Sequence, residues 1–256
     1  MIIAISGKKQ SGKDTVGKIL QYFTIPKEHR TITIQEWMEL SSTVYTPEII
    51  GDTYIPIKKF ATKLKEISAY LLDTPSKNFE SDDFKNTTLS ELWKVFTVNY
   101  SDGLCSHNKL FNKFQDAYEF FSQCTQVGFV ATEPVEKLMT YRDFLIQLGT
   151  DGGREQVHPN IWVYTTFSEY TPKENWIITD MRFKNELNFV KKMDCYVIRV
   201  DRDGLPPNDS VTETQLDKSY QEFDCIVYNN STIESLTDTI QTIISSDERL
   251  KPLFYV

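Results

Sequence analysis

The clearest chemistry in the chain lies near its N-terminus, in Gly7-Lys-Lys-Gln-Ser-Gly12-Lys13-Asp14-Thr15. The segment matches the G-x-x-x-x-G-K spacing of a phosphate-binding loop. Its glycines permit a tight turn and close approach of backbone to a phosphate. Successive N–H groups, opening into a helix N-terminus, would present positive potential to the ligand. Lys13 can bridge the terminal phosphates of a nucleotide as a flexible point charge. One position departs from the general motif. Asp14 stands where Ser or Thr usually meets Mg2+, so either Asp14 takes over that contact or Thr15 supplies a hydroxyl from the next position.

A second set of polar residues lies far along the chain. Trp176-Ile-Ile-Thr179-Asp180 is an apolar run ending in a carboxylate, followed by Arg182 and Glu186. A strand ending there would put one polar cluster at the carboxyl edge of a sheet, where ligands bind in open α/β folds. Asp180 could hold a metal through water, orient an attacking oxygen, or simply cap the strand end. Arg142, Arg154, Arg182 and Arg202 all fall at the ends of expected elements, and guanidinium is suited to planar, bidentate recognition of phosphate. Arg154 follows Gly149-Thr-Asp-Gly-Gly153, a segment flexible enough to close over a nucleotide. In Phe60-Ala-Thr-Lys63-Leu-Lys65, either lysine could touch an acceptor phosphate or snorkel from an amphipathic helix, with Phe60 beside a base. Trp162 reads equally as a core anchor or a stacking platform. His29, His107 and His158 form no triad and receive no role.

These residues need elements to position them. Met1–Ser6 is a short apolar run suited to a strand buried on both faces. Val16, Ile19, Leu20 and Phe23 then recur at helical spacing, and a short strand is expected at Thr31–Ile34. Phe60, Leu64, Ile67 and Leu71 mark an amphipathic helix ending near Leu72. Residues 73–139 are polar and aromatic, helical in pieces such as Phe111–Phe121. Thr140 with Asp143 should cap another helix, and Gly149 should stop it. The last third alternates: strand Trp176–Thr179, helix Asn185–Lys192, strand Tyr196–Val200, strand Asp224–Tyr228. A helix over Ser231–Ser245 follows, with Ser231 and Glu234 as capping box. Such alternation predicts an α/β fold, a parallel sheet flanked by helices in three layers.

Composition narrows the class. The 256 residues are 40% hydrophobic and 25% charged, with 10 Gly and 10 Pro, the profile of an ordinary globular protein. A net charge of −8 argues against a basic nucleic-acid surface or an anionic membrane as partner. No apolar run approaches the roughly 20 residues that span a bilayer, and no signal-peptide pattern opens the chain, so a cytoplasmic location is expected. Cys105, Cys124, Cys195 and Cys225 are scattered, which argues against a disulfide framework or a structural zinc site. The expected organisation is one domain over 1–256, with a mainly helical insert near 73–139 and a lid-like segment near 140–163. Surplus aromatics within 73–130 leave a homodimer open.

The assembled segments resemble the bacteriophage-type deoxynucleoside monophosphate kinases, among the phosphate-loop (P-loop) nucleotide kinases. The resemblance is carried by Ser6–Thr15, Phe60-Ala-Thr-Lys-Leu-Lys65, Phe84-Lys85, Arg142 through Gln147-Leu-Gly-Thr-Asp151 to Ile161-Trp-Val163, and Thr179-Asp-Met-Arg-Phe-Lys-Asn-Glu186. It continues through Val200-Asp-Arg202, Thr212-Glu213 and Tyr228-Asn-Asn230; residues 99–139 match poorly. Asp after the loop lysine is similar to a habit of that family. The resemblance implies a P-loop kinase fold with a helical insert or lid. The implied reaction is transfer of the γ-phosphoryl group of ATP to a deoxynucleoside monophosphate, giving a diphosphate for DNA synthesis, with Mg2+ as cofactor. By the same resemblance Gly7, Lys9, Ser11, Gly12, Lys13, Asp14 and Thr15 hold ATP, with Asp14 or Thr15 at the metal. Lys13, Arg142, Asp180 and Arg182 are then the catalytic candidates. Phe60, Lys65, Arg142, Arg154, Trp162, Asp180, Arg182, Glu186, Arg202 and Glu213 are the substrate-side candidates. Rival readings are another small-molecule kinase on this scaffold, of dephospho-coenzyme A or phosphomevalonate kinase type, or a non-catalytic nucleotide-binding module.

Overall fold

The computed structural model describes residues 1–39, 54–103, 106–206 and 214–256. Its strands are β1 (Ile2–Gly7), β2 (Ile57–Lys58), β3 (Lys94–Ser101), β4 (Ser106–Phe111), β5 (Val130–Ala131), β6 (Val135–Leu138), β7 (Trp176–Met181), β8 (Cys195–Asp201) and β9 (Cys225–Tyr228). Its α-helices are α1 (Lys13–Phe23), α2 (Ile34–Glu39), α3 (Ala61–Leu71), α4 (Asp82–Lys85), α5 (Phe114–Gln126), α6 (Tyr141–Ile146), α7 (Ile161–Phe167), α8 (Lys184–Val190) and α9 (Ile233–Ser246). The chain divides into two units, Met1–Thr62 with Val163–Val256, and Lys63–Trp162.

The first unit is built on a five-stranded sheet in the order β2-β7-β1-β8-β9, with every pairing parallel. All six residues of the central strand β1 are buried, as expected where helices cover both faces. Its side chains alternate between two cores. Ile3 and Ile5 join Val16, Ile19 and Leu20 of α1 and Ile240 and Ile244 of α9. Ile2 and Ala4 join Ile178, Leu187, Val163 and Phe167 on the opposite face. This is the three-layer α/β arrangement that the sequence alternation predicts.

Two local expectations shift. No strand forms at Thr31–Ile34; α2 begins at Ile34 because Thr33 and Glu36 make a reciprocal capping box. The Glu36 carboxylate accepts from the Thr33 amide at 2.7 Å, and the Thr33 hydroxyl accepts from the Glu36 amide at 3.3 Å. The last helix is capped one residue later than expected, by the Thr232 hydroxyl accepting from the Ser235 amide at 3.3 Å.

The second unit corrects the expectation of a mainly helical insert. Strand β3 pairs antiparallel with β4, β5 and β6, and α4 and α5 are the α-helices within residues 73–139. The reason lies in Lys94-Val-Phe-Thr-Val-Asn-Tyr-Ser, a run rich in β-branched and aromatic residues. Leu89, Val95 and Met139 form its small core, with Leu72, Trp93, Tyr141 and Phe144 packed against them. Many aromatics of this region pair inside the unit, such as Tyr100 and Phe111 with Phe120, while Phe114 and Tyr118 are exposed.

The Thr140–Asp143 capping box forms as expected at the start of α6. Gly149 does not end the helix, however. A π-helical run, Gln147–Val157, continues it. Gly149 is buried, and its carbonyl accepts from the Trp162 indole N–H at 2.7 Å, so the chain stays packed rather than turning out to solvent. The glycine-rich segment Gly149–Gly153 lies within this helical run. Among the described residues no helix is long and apolar enough to cross a membrane.

Candidate phosphate-binding site

The phosphate loop leaves the end of β1 and opens directly into α1. Gly7 has φ +155°, and a Cβ there would lie 2.4 Å from the Val200 carbonyl. Gly12 has φ +98°, with the Asn229 amide group 2.2 Å from where a Cβ would stand. Gln10 lies between them at φ +65°, a left-handed conformation uncommon outside glycine. Left-handed residues alternating with others curl successive N–H groups toward one side, the geometry of an anion nest. The loop is braced from behind by Asn229, which donates to the Ser11 carbonyl at 2.9 Å. The Ser11 hydroxyl is buried and has no partner in the protein, a donor-acceptor group inside the loop that calls for one. Lys13 folds back over the loop, its ammonium donating to the Gly7 and Lys8 carbonyls at 2.6 Å each. Lys9 is exposed.

The end of β7 supplies two further supports. The Thr179 hydroxyl donates to Asp14 Oδ1 at 2.7 Å, and the Lys59 ammonium lies 3.0 Å from the same oxygen. Burial pushes the Asp14 carboxyl up, but Lys59, Thr179 and Lys13 outweigh it and hold the group below its ordinary value. Asp180, the next residue, spends both oxygens on main chain. Oδ1 accepts from the Phe60 amide at 2.8 Å, and Oδ2 from the Ala61 amide at 3.0 Å. Asp180 thus caps the N-terminus of α3 from a neighbouring strand rather than the end of its own strand. Burial pushes its carboxyl up against the pull of these two amides.

The remaining candidates divide between the units. In the first, Phe60 is 2% exposed and packed on Phe167, which corrects the expectation that it lies beside a base. Glu186 is buried, and its carboxylate accepts from the Arg182 and Phe183 amides at 2.8 and 3.0 Å, so it closes the N-terminus of α8. Arg182 is half-buried beside it, and Arg202 is exposed. In the second unit, Lys65 pairs with Glu80 at 2.7 Å, and Arg142 donates to Asp82 and Asn86 at 2.9 Å each. Arg154 lies half-buried in the π-helical run. Trp162 is 4% exposed and bonded to Gly149, so of its two alternatives the structure takes the core anchor. Glu213 lies outside the described residues.

Sequence reasoning missed Lys59 and a buried cation behind the loop. Arg199 on β8 is 2% exposed; its guanidinium reaches Asp201 at 3.0 Å, Asp217 at 2.7 Å and the Ser6 hydroxyl at 3.3 Å. Asp217 also pairs with Lys8 of the loop at 3.1 Å. The signal was available: an arginine inside the apolar run Tyr196-Val-Ile-Arg-Val must be paired if that run is a central strand.

The deoxynucleotide monophosphate kinase family model matches residues 80–240, more than half of the chain. The chain belongs to that family. A protein of Acanthamoeba polyphaga mimivirus named "Putative deoxynucleotide monophosphate kinase" is 29% identical over 125 residues, 43% of this chain. The match spans 64% of that viral protein, less than two thirds of its length. The family match begins beyond the phosphate loop, so the loop is assigned on its own geometry.

Proposed function

We propose that this chain transfers the γ-phosphoryl group of ATP to the 5′-phosphate of a deoxynucleoside monophosphate, giving a deoxynucleoside diphosphate and ADP. One observation carries the reading: a loop with left-handed Gly7, Gln10 and Gly12, roofed by Lys13, in a member of this kinase family. The loop amides and Lys13 bind the donor phosphates, and Lys13 exchanges its two loop carbonyls for phosphate oxygens. Arg182 and Arg202, in the same unit as the loop, are the cations proposed to grip the acceptor phosphate and neutralise charge on the group in flight. Little proton transfer is needed, since an acceptor phosphate is already ionised near neutral pH. Catalysis is then positioning plus charge neutralisation.

Mg2+ fits the residues present. Asp14 and Thr15 offer hard oxygen donors at the first turn of α1, and no cluster of three or more His, Cys, Asp or Glu suited to a metal occurs among the described residues. That donor set suits an ion that keeps waters and is held mainly by nucleotide phosphates. Bound there, Mg2+ would neutralise phosphate charge; Asp14, oriented by Thr179, would hold it.

The test is a panel of deoxynucleoside monophosphates with ATP and Mg2+, read as ADP release. Strong acceptor-dependent stimulation is expected. Turnover no greater than with ATP alone across the panel would refute the reading.

A further inference from the structure

We propose that Lys59 is a phosphate-binding residue of the donor site, positioned there by its ion pair with Asp14. The inference rests on the donor-site reading above and adds a residue that the loop motif does not contain. Lys59 comes from the segment between β2 and α3, yet its ammonium stands 3.0 Å from Asp14 Oδ1, one residue from Lys13 at the mouth of the loop. Its position is fixed from both ends. The two amides that follow it, of Phe60 and Ala61, are clamped by the carboxylate of Asp180. The oxygen it rests on is itself held by the Thr179 hydroxyl at 2.7 Å. Adjacent residues of β7 thus place the lysine and the carboxylate that receives it.

The two lysines at the mouth share one physical pattern. Lys13 rests on two main-chain oxygens, and Lys59 on one carboxylate oxygen that a hydroxyl already occupies. The main-chain oxygens carry only partial charge and Asp14 a single charge shared with Thr179, and a triphosphate, with several charges spread over many oxygens, can replace either. The Lys59 side chain is about a third exposed, so a short swing off Asp14 requires no opening of the core. Lysine suits this transfer, being a compact charge on a flexible stem.

Calorimetric titration of ATP in EDTA, without metal, isolates the proposal from turnover. Four variants are compared with the wild type: Lys59→Met, Lys59→Arg, Asp14→Asn and Lys13→Met, with thermal unfolding recorded for each. Lys59→Met is expected to weaken ATP binding about tenfold, the scale of one charge-assisted contact. Lys59→Arg should recover most of that loss. Asp14→Asn should bind at least as tightly as wild type, because it removes the competing carboxylate. Lys59→Met with wild-type affinity, while Lys13→Met loses it, overturns the proposal and leaves the donor site standing. Wild-type affinity in Lys13→Met overturns the donor site itself and the proposal with it. Equal weakening in Asp14→Asn and Lys59→Met, with lowered melting in both, would make the pair a structural brace and also overturn the proposal.

Discussion

Replacing Asp180 separates a structural cap from a catalytic carboxylate. Its two oxygens accept from the Phe60 and Ala61 amides at 2.8 and 3.0 Å, and hydrogen bonds to a charged group contribute about 1.5–3 kcal/mol. Asparagine keeps one acceptor and turns an NH2 group toward the other amide, so one bond and the charge are lost. Burial works the other way. It pushes the Asp180 carboxyl up, and the neutral amide escapes that penalty. The two effects leave Asp180→Asn about 1–2 kcal/mol less stable, and Asp180→Ala, which strands both amides, about 2–3 kcal/mol less stable. Urea unfolding monitored by tryptophan fluorescence, beside steady-state turnover, measures both consequences. Asparagine should retain turnover within roughly tenfold, because the cap is weakened rather than abolished. If Asp180→Asn kept wild-type stability yet lost more than about a hundredfold in turnover, the carboxylate would be working on substrate and the capping argument would fail.

Three other outcomes are expected. Asp143 accepts from the Thr140 amide and Lys137, at 2.9 Å each, and despite burial its carboxyl lies below the ordinary 3.8. A depressed carboxyl stabilises above its unfolded pKa, so this contribution should be complete above about pH 5 and fade at lower pH. The stability gap between wild type and Asp143→Asn, followed by urea unfolding from pH 7 to 3, should therefore close at the acid end. Trp162→Phe keeps a ring in the core but loses the 2.7 Å bond to Gly149; a loss of about 1 kcal/mol is expected, against about 3–5 for Trp162→Ala, and wild-type stability in Trp162→Phe would show the bond to be idle. Burial pushes the Cys225 thiol up to about 11. Thiolate should then be about 0.1% at pH 8; fast alkylation of the Cys225 peptide in the folded protein, located by mass spectrometry, would contradict this.

The parallel core was readable because its signals are local. Ile2 to Ile5 has no polar residue to place at a surface, and α1 carries its apolar stripe at helical spacing. The phosphate loop was readable for the same reason, since its spacing and its strand–helix setting are contiguous. The insert was harder. Val95, Thr97 and Asn99 alternate with Phe96, Val98 and Tyr100, so both faces of β3 carry apolar residues and the pattern blurs. Roles of single polar residues were least readable. Asp180 and Glu186 carry charges that suggest contact with substrate, but their carboxylates are occupied by main-chain amides. Lys59 carries no motif, and only the approach of α3's first residues to β7 brings it to Asp14. Such meetings depend on strand order, which no local spacing encodes.

That strand order also sets a timetable. Strand β1 is bordered by β7 and β8, with Ile2 opposite Trp176 on one side and Cys195 on the other. A ribosome that has finished the loop must make more than 150 further residues before either neighbour exists. Until then Ile2–Ile5 is an apolar segment with both edges open, the kind of stretch that pairs with wrong partners. The loop is thus made long before it is locked in place, and a nascent chain halted before residue 176 holds a loop with no sheet to stand on.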